Sequence, residues 1–229
     1  MSDRTINGVS VEAVLNKLED NEAWVQRISH RKVKPELSIV EPDPEWPTQF
    51  EAFKARIISA FEAQTEAEDH HKQVETRSSK VTILSISHVG STSVPGLPAK
   101  AIIDIDLVLS SNILSSEAYY VPRLEAAGFQ YILREPEWYE HRLFCASDPV
   151  FCNLHVWGPK CAEVERHRIF RDWLREHDDD RDLYAGIKRE CAFASVRAGE
   201  DMMEYTRRKE SVIREILNRA YAKLGYLPA

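Results

Sequence analysis

A loop rich in Gly and Pro between two β-rich runs, over residues 81–109, is the feature that most constrains the fold of this chain. The run VTILSISHV precedes the loop and AIIDIDLVL follows it, and both are rich in β-branched residues that favour strands. The loop itself, GSTSVPGLPAK, has the composition of a tight turn. The pattern predicts two neighbouring strands whose connecting turn exposes backbone and hydroxyl groups.

Two aspartates interrupt the second β-rich run. Because strand side chains alternate, Asp104 and Asp106 are expected on one face, about 7 Å apart along the strand. A solvated strand face is the ordinary explanation of such a pair. Here, however, apolar residues flank both aspartates, and burying two carboxylates among them is costly unless a partner compensates their charge. The pair therefore predicts a shared divalent cation, Mg²⁺ or Mn²⁺, held together with phosphate oxygens.

The turn before this strand has the chemistry of a phosphate-binding loop. Gly90 allows close approach of the backbone to a ligand, and the hydroxyls and N–H groups of Ser91, Thr92 and Ser93 are suitable donors to phosphate oxygens. A Gly-Ser turn alone is uninformative. Its proximity to Asp104 and Asp106 favours a site for a nucleotide accompanied by its metal.

The rest of the chain predicts an α+β protein with a small mixed sheet, flanking helices and a helical C-terminal third. Helices are expected over residues 11–28, from about 44 to a polar loop near 66–72, and over 116–127, 161–177, 180–197 and 201–224. Short strands are expected over 37–40, 129–134, 141–145 and 150–157. The apolar stripe of the first helix must pack on the main domain or on a partner.

Composition excludes several functional classes. With 30 Lys and Arg against 37 Asp and Glu, the net charge is -7, which disfavours broad binding to nucleic acid or anionic lipid. No run approaches the roughly 18 apolar residues of a membrane span, and the start MSDRTINGVS does not resemble a secretory signal. The 4 cysteines are too few and too dispersed for a disulfide framework. We therefore expect a cytoplasmic protein with reduced thiols.

The stretch HVGSTSVPGLPAKAIIDIDLVL resembles the signature of the GrpB-like family, which is placed in the nucleotidyltransferase superfamily and is found alone or fused to dephospho-CoA kinase. The similarity extends over about residues 37–225 and includes NLHVW and EYTRRKESVIREI. It implies a nucleotidyltransferase-like fold in which Gly90 and Ser91 hold phosphates and Asp104 and Asp106 bind metal. The chain then divides into an N-terminal helical extension and linker, 1–36, and a GrpB-like domain, 37–229.

The chain departs from polymerase-type nucleotidyltransferases, which normally use a third carboxylate on a neighbouring strand. His155 stands where that acid is expected, if the polar face of strand 151–157 points at the aspartates. His155 is thus a candidate to complete the metal shell or to position the acceptor. Glu135, Glu137 and Glu140 are candidates to supply the missing charge.

Basic residues at positions typical of the family could neutralise a triphosphate. The candidates are Lys100, Arg142, Arg168, Lys188 and Lys209, with Tyr205 as a polar neighbour. Lys100, Arg142 and Lys209 are retained as nucleotide-binding candidates, although charge on exposed helix surfaces would explain each one separately. A zinc site is disfavoured, because Cys152 and His155 fall on opposite faces of their strand.

These observations lead to one expected function and two alternatives. The expected function is metal-dependent binding of an NTP or another phosphorylated small molecule, with transfer of a nucleotidyl group to an unknown acceptor. The first alternative is a non-catalytic module that binds a nucleotide or a CoA-like metabolite. The second is an interaction protein in which the N-terminal helix contacts a partner.

Overall fold

The computed structural model describes residues 4–18, 21–62 and 81–227. The strands are β1 (Thr5–Ile6), β2 (Val9–Ser10), β3 (Gln26–Arg27), β4 (Ile83–Val89), β5 (Ile102–Leu109), β6 (Gln130–Glu135), β7 (His141–Ala146) and β8 (Phe151–Trp157). The α-helices are α1 (Val11–Leu15), α2 (Trp46–Glu62), α3 (Glu117–Ala126), α4 (Ala162–Glu176), α5 (Asp178–Ala198) and α6 (Met202–Lys223). The polar loop expected near 66–72 lies outside the described residues. None of the described helices is long and apolar enough to cross a membrane.

Six strands form one mixed sheet in the order β3-β6-β7-β8-β5-β4, and β1 pairs separately with β2. Strands β5 and β8 are parallel, whereas the other neighbours in the large sheet are antiparallel. A tight hairpin cannot join parallel strands, and here the connecting chain forms α3 and the β6-β7 hairpin. The fold confirms the predicted small mixed sheet with flanking helices and a helical C-terminal third.

One face of the large sheet is apolar and packs against α2 and α3. Ile103, Ile105 and Leu107 of β5 are fully buried in this core, together with Phe53 and Ile57 of α2. Because strand side chains alternate, the aspartates between these residues point to the opposite face. The sequence pattern of β5 thus separates a packing face from a polar face.

The C-terminal helices pack beside that polar face and against the turn after β4. Val94 and Leu97, which follow this turn, share a second core with Leu174 of α4 and Ile216 of α6. Arg171 of α4 donates a 3.0 Å hydrogen bond to the carbonyl of a β4 residue, His88. The polar ends of β4 and β5 therefore lie between the sheet and the helices.

The N-terminal segment differs from the single helix predicted over residues 11–28. Its α-helix covers only Val11–Leu15, followed by a short 3₁₀ helix over Glu22–Trp24 and by β3, which pairs with β6. Arg166 of α4 donates hydrogen bonds to the carbonyls of Ala13 and Val14. These carbonyls therefore accept from a neighbouring helix and not from the N–H groups of a following turn of α1. The apolar side of α1 packs on the main domain, with Val14 fully buried.

The strand predicted over residues 37–40 is reduced to a single bridge. Val40 and Ala99 exchange backbone hydrogen bonds of 2.8 and 3.0 Å, and no strand forms on either side of them. This bridge still holds the chain in place just before β5, the strand that contains Asp104 and Asp106.

Candidate functional site

The parallel pairing of β5 and β8 sets the two predicted carboxylates beside polar residues of β8. Asp104 lies opposite Asn153, and Asp106 lies opposite His155. Asn153 Nδ2 donates to Asp104 Oδ1 over 2.7 Å, and His155 Nε2 lies 4.0 Å from the same oxygen. The structure therefore brings together Asp104, Asp106 and His155, the three residues that we expected at the centre of the site.

Asp106 is the deeper carboxylate and is fully buried. Trp157 Nε1 donates to its Oδ1 over 2.8 Å, and His167 Nδ1 of α4 lies 2.9 Å from its Oδ2. Burial opposes charge on both partners, but their attraction and hydrogen bond raise the pKa of His167 to about 9 and hold the pKa of Asp106 below its usual value. Asp106 and His167 thus form an ion pair at neutral pH, in which Asp106 is fully buried and His167 is half-buried.

A chain of hydrogen bonds runs from His155 away from the aspartates. His155 Nδ1 lies 3.0 Å from His141 Nε2, and His141 Nδ1 lies 2.6 Å from Glu135 Oε2. Burial lowers the pKa of His155 to about 4 and the pKa of His141 to about 3, so both rings are neutral at pH 7. When Glu135 is ionised, it accepts from His141 Nδ1, and His141 Nε2 then accepts from His155 Nδ1. This arrangement leaves a lone pair on His155 Nε2, the nitrogen that faces Asp104.

The three glutamates expected to replace the third carboxylate have separate positions. Glu135 is connected to the site through two histidines. Glu140 instead accepts a 2.9 Å hydrogen bond from Arg142, and Glu137 is exposed. Of these candidates, Glu135 alone is linked to His155 by the hydrogen bonds of the described residues.

Gly90 brings the backbone of the turn against Asp104. Its φ is +66°, in the region that favours glycine, and a Cβ added at this position would lie 2.4 Å from Asp104 Oδ2. A larger residue would have to displace the carboxylate or the turn. The close approach expected from the sequence is therefore present.

The hydroxyl groups of the turn have two different environments. Ser93 Oγ donates to the Gly90 carbonyl over 2.6 Å, and buried Thr92 Oγ1 donates to the Ile102 carbonyl over 3.1 Å. Ser91 is half-buried and lies near Tyr184. The hydroxyl groups of Thr92 and Ser93 thus stabilise the turn by donating to backbone carbonyls. Of the four predicted phosphate-binding residues in the turn, Gly90 and Ser91 remain.

Three lysines from separate elements lie close together at this end of the sheet. Lys100 precedes β5, Lys188 belongs to α5, and Lys209 belongs to α6. Lys209 Nζ lies 4.2 Å from the centroid of the Tyr205 ring, and Lys100 Nζ lies 5.1 Å from the same centroid. Lys188 and Lys209 are only 2% and 9% exposed. The lysines form a largely buried cluster, in which Lys100 and Lys209 lie near the less buried of the two aspartates.

Burial and the proximity of the three lysines to one another oppose their charged forms. Burial, together with the charge of Lys209, lowers the pKa of Lys188 to about 6. Burial and the charge of Lys100 lower the pKa of Lys209 to about 8, although Asp104 acts in the opposite direction. Burial likewise lowers the pKa of Lys100. An anion bound among these groups would favour their charged forms.

Arg142 does not belong to this site, contrary to the sequence prediction. It lies opposite Val156 in the β7-β8 pairing and shares the face of the sheet that packs against α2 and α3. Its side chain is fully buried, and its Nε donates to Glu117 Oε1 over 2.8 Å. A shift of one position along a strand changes the face, so Arg142 supports the helical layer and not the polar face.

The donors present suit a cation that arrives with a phosphorylated ligand. In residues 4–18, 21–62 and 81–227, no three His, Cys, Asp or Glu side chains form a ready-made metal cluster. Asp104 offers a partly exposed carboxylate, and His155 Nε2 faces it with a free lone pair. Mg²⁺ typically uses one or two carboxylates and completes its shell with phosphate oxygens and water. The residues therefore fit such a cation.

Sequence reasoning missed the roles of His141 and His167. His167 lies on a helix far along the chain from Asp106, and no local pattern connects the two residues. His141 starts β7, and its contact with His155 depends on the antiparallel register of β7 and β8. Asn153 could have been found, because it alternates with His155 along β8.

The chain has clear relatives. The family model described as GrpB protein matches residues 36–219. A UPF0157 protein of Halalkalibacterium halodurans is 38% identical over 201 residues, which cover 86% of this chain and 91% of that protein. A UPF0157 protein of Pseudomonas aeruginosa is 35% identical over 189 residues, which cover 81% of this chain and 68% of that protein.

Two further relatives extend this picture. A protein named dephospho-CoA kinase from Mycolicibacterium paratuberculosis is 28% identical over 224 residues, but the match spans only 49% of that protein. The crystal structure of conserved protein GrpB from Enterococcus faecalis shares the fold, with a TM-score of 0.57 and 24% identity, over 82% of this chain and 99% of that one. These similarities and the match over residues 36–219 confirm that the chain belongs to the GrpB family.

Proposed function

We propose that this protein binds a nucleoside triphosphate together with Mg²⁺ or Mn²⁺ and transfers the nucleotidyl group to an acceptor hydroxyl. The observation that most supports this function is the buried cluster of Lys100, Lys188 and Lys209 beside Asp104. Burial, and after it the charges of neighbouring lysines, lower the pKa values of Lys188 and Lys209, and a bound polyphosphate would favour the charged forms of both.

The lysine cluster supplies the phosphate-binding half of the proposed site. Hydrogen bonds from ammonium groups to phosphate oxygens are strong when water is largely excluded, and both Lys188 and Lys209 are buried. Gly90 and Ser91 add a close-approaching backbone and one hydroxyl. These groups would hold the β- and γ-phosphates.

Asp104 and Asp106 supply the metal-binding half. Asp104 is the accessible ligand, and each Asp106 oxygen accepts one hydrogen bond and keeps one lone pair. His155 Nε2 lies on the same face but outside the metal shell, with its lone pair available to a proton of the acceptor. A bound cation would supply positive charge to the phosphate oxygens.

The transfer requires little covalent chemistry from the protein. The acceptor oxygen forms a bond to the α-phosphorus, the bond from that phosphorus to the bridging oxygen breaks, and pyrophosphate leaves. The hydroxyl proton passes to the free nitrogen of His155, whose orientation is held by His141 and Glu135. The lysines stabilise the negative charge that accumulates on the leaving group.

The test compares the substitutions Lys209→Gln and Lys223→Gln on the same helix. Lys209 is buried in the cluster, whereas Lys223 is exposed in the last turn of α6. We expect ATP with Mg²⁺ to bind the wild type, and Lys209→Gln to weaken binding about tenfold or more, because a charge-assisted hydrogen bond is lost. Lys223→Gln should bind like the wild type. Isothermal titration calorimetry measures the affinities.

A matched pair of substitutions separates the metal from the phosphate contacts. Asp104→Asn should abolish the dependence of ATP binding on Mg²⁺, whereas Asp43→Asn, on the loop before α2, should leave it unchanged. If neither ATP, GTP, CTP nor UTP binds the wild type with Mg²⁺ or Mn²⁺, the proposed function is wrong. Pyrophosphate release measures the transfer itself.

A second candidate function is binding of a CoA-type nucleotide without transfer. The observation that favours it is the similarity to proteins named dephospho-CoA kinase. Dephospho-CoA also carries a diphosphate, which the lysine cluster would bind in the same way. Tighter binding of dephospho-CoA than of any NTP, without pyrophosphate release, would favour this candidate.

A further inference from the structure

A segment before the matched family domain reaches the candidate site. The family model begins at residue 36, yet the chain over residues 28–32 runs along β6. The backbone N–H groups of Ile28 and Ser29 donate to the Ile132 carbonyl over 2.9 and 3.1 Å, and Gln130 Nε2 donates to the His30 carbonyl over 2.7 Å. These bonds hold the segment in one place.

Arg31 extends from this segment to the residues around Asp104. Its Nη2 donates to Asn153 Oδ1 over 2.6 Å, while Asn153 Nδ2 donates to Asp104 Oδ1 over 2.7 Å. Asn153 therefore bridges the guanidinium and the carboxylate. The positive charge of Arg31 also helps to lower the pKa of Lys100, after burial and against the effect of Asp104. Arg31 is thus a neighbour of both halves of the proposed site.

The guanidinium of Arg31 has donors to spare. It has five N–H groups, and its hydrogen bond to Asn153 uses one of them. Within the described residues, Arg31 forms no ion pair with a carboxylate, although all four arginines on α4 do. Its side chain is half-buried. A planar group with free parallel donors suits two oxygens of a phosphate.

We propose that Arg31 is a ligand-binding residue that contacts a phosphate group of the nucleotide, together with Lys100. This inference rests on the proposed function and adds a contact from outside the family domain. It also assigns a role to the N-terminal segment: the segment completes the phosphate-binding site.

The test uses the full chain and three substitutions, Arg31→Gln, Arg31→Lys and Lys32→Gln. Lys32 is the matched control, because it is the next residue, has the same charge and is exposed. We expect Arg31→Gln to weaken the binding of ATP with Mg²⁺ about tenfold. Arg31→Lys should weaken this binding less than Arg31→Gln does, because lysine keeps the positive charge but lacks the paired N–H donors. Lys32→Gln should bind like the wild type.

Two further measurements exclude a purely structural role. The loss caused by Arg31→Gln should be as large for inorganic tripolyphosphate as for ATP and should be absent for adenosine. The urea unfolding midpoint of Arg31→Gln without ligand should match that of Lys32→Gln.

The outcomes distinguish this inference from the proposed function. Suppose that ATP binds the wild type, and that Lys209→Gln weakens this binding but Arg31→Gln does not. The role of Arg31 is then overturned, and the proposed function stands. If none of ATP, GTP, CTP, UTP and tripolyphosphate binds the wild type, both are overturned.

Discussion

At the scale of single residues, the contact between Gly90 and Asp104 sets the shape of the site. We predict that Gly90→Ala destabilises the protein by about 2 kcal/mol or more, because the new methyl group meets the carboxylate and the positive φ is strained. Gly186→Ala is the matched control, since no atom lies within 4 Å of a Cβ added there within α5. It should stabilise the protein by about 0.5–1 kcal/mol. Urea denaturation measures both changes, and equal effects would contradict the prediction.

Lys188 gives a prediction on pH dependence. Its pKa is about 6 in the folded protein, through burial and the charge of Lys209, but about 10.4 in an unfolded chain. Between these values the unfolded chain binds more protons, so the Lys188 contribution makes the free energy of unfolding rise with pH. Lys188→Met should therefore stabilise the protein by about 1–3 kcal/mol near neutral pH, and the gain should shrink towards about pH 10.

Urea denaturation of the wild type and Lys188→Met across this pH range measures the effect. Lys188 also donates a hydrogen bond to the Pro98 carbonyl, which the substitution removes. A variant less stable than the wild type at neutral pH would show that this hydrogen bond outweighs the cost of burying the Lys188 side chain.

Individual residues also show how far the sequence could define the site. The alternation within β5 and β8 was sufficient to place Asp104, Asp106 and His155 on common faces, because each prediction used one strand. Arg142 was placed wrongly, because its face depends on the pairing of β7 with β8. Contacts such as His167 with Asp106 depend on helix packing, which no local pattern describes.

At the scale of elements, α1 illustrates how tertiary contacts replace local propensity. Its apolar residues are spaced as for a longer helix, but Arg166 binds its last carbonyls and the chain leaves the helical path. The helices from 161 onward were predicted within a few residues, because their apolar residues recur at helical spacing, and those of α4 and α6 pack into two cores.

The packing of α1 on the main domain gives a further prediction. Val14→Ala should reduce the free energy of unfolding by about 1–3 kcal/mol, because Val14 is fully buried against α4 and α6. Val33→Ala, at a position 54% exposed, should change it by less than about 0.5 kcal/mol. Chemical denaturation provides the measurement, and a neutral Val14→Ala would indicate that α1 packs only loosely.

At the scale of the whole molecule, the proposed site draws on distant parts of the chain. Arg31 comes from the N-terminal segment, Asp104 from the sheet, and Lys209 from the last helix. The N-terminal segment pairs with β6 and packs on α4 and α6, so the division of the chain at residue 36 describes similarity to a family and not a break in the fold. Sequence patterns cannot reveal such convergence, because it depends on the order of strands in the sheet.

The lysine cluster has a last consequence for the molecule as a whole. Lys100, Lys188 and Lys209 belong to a loop and two different helices, so their mutual repulsion acts between the sheet and the C-terminal helices. An anion that neutralises them would draw these elements together and slow their local opening. Resistance to proteases, and with it the lifetime of the protein in a cell, would then increase with the concentration of its ligand.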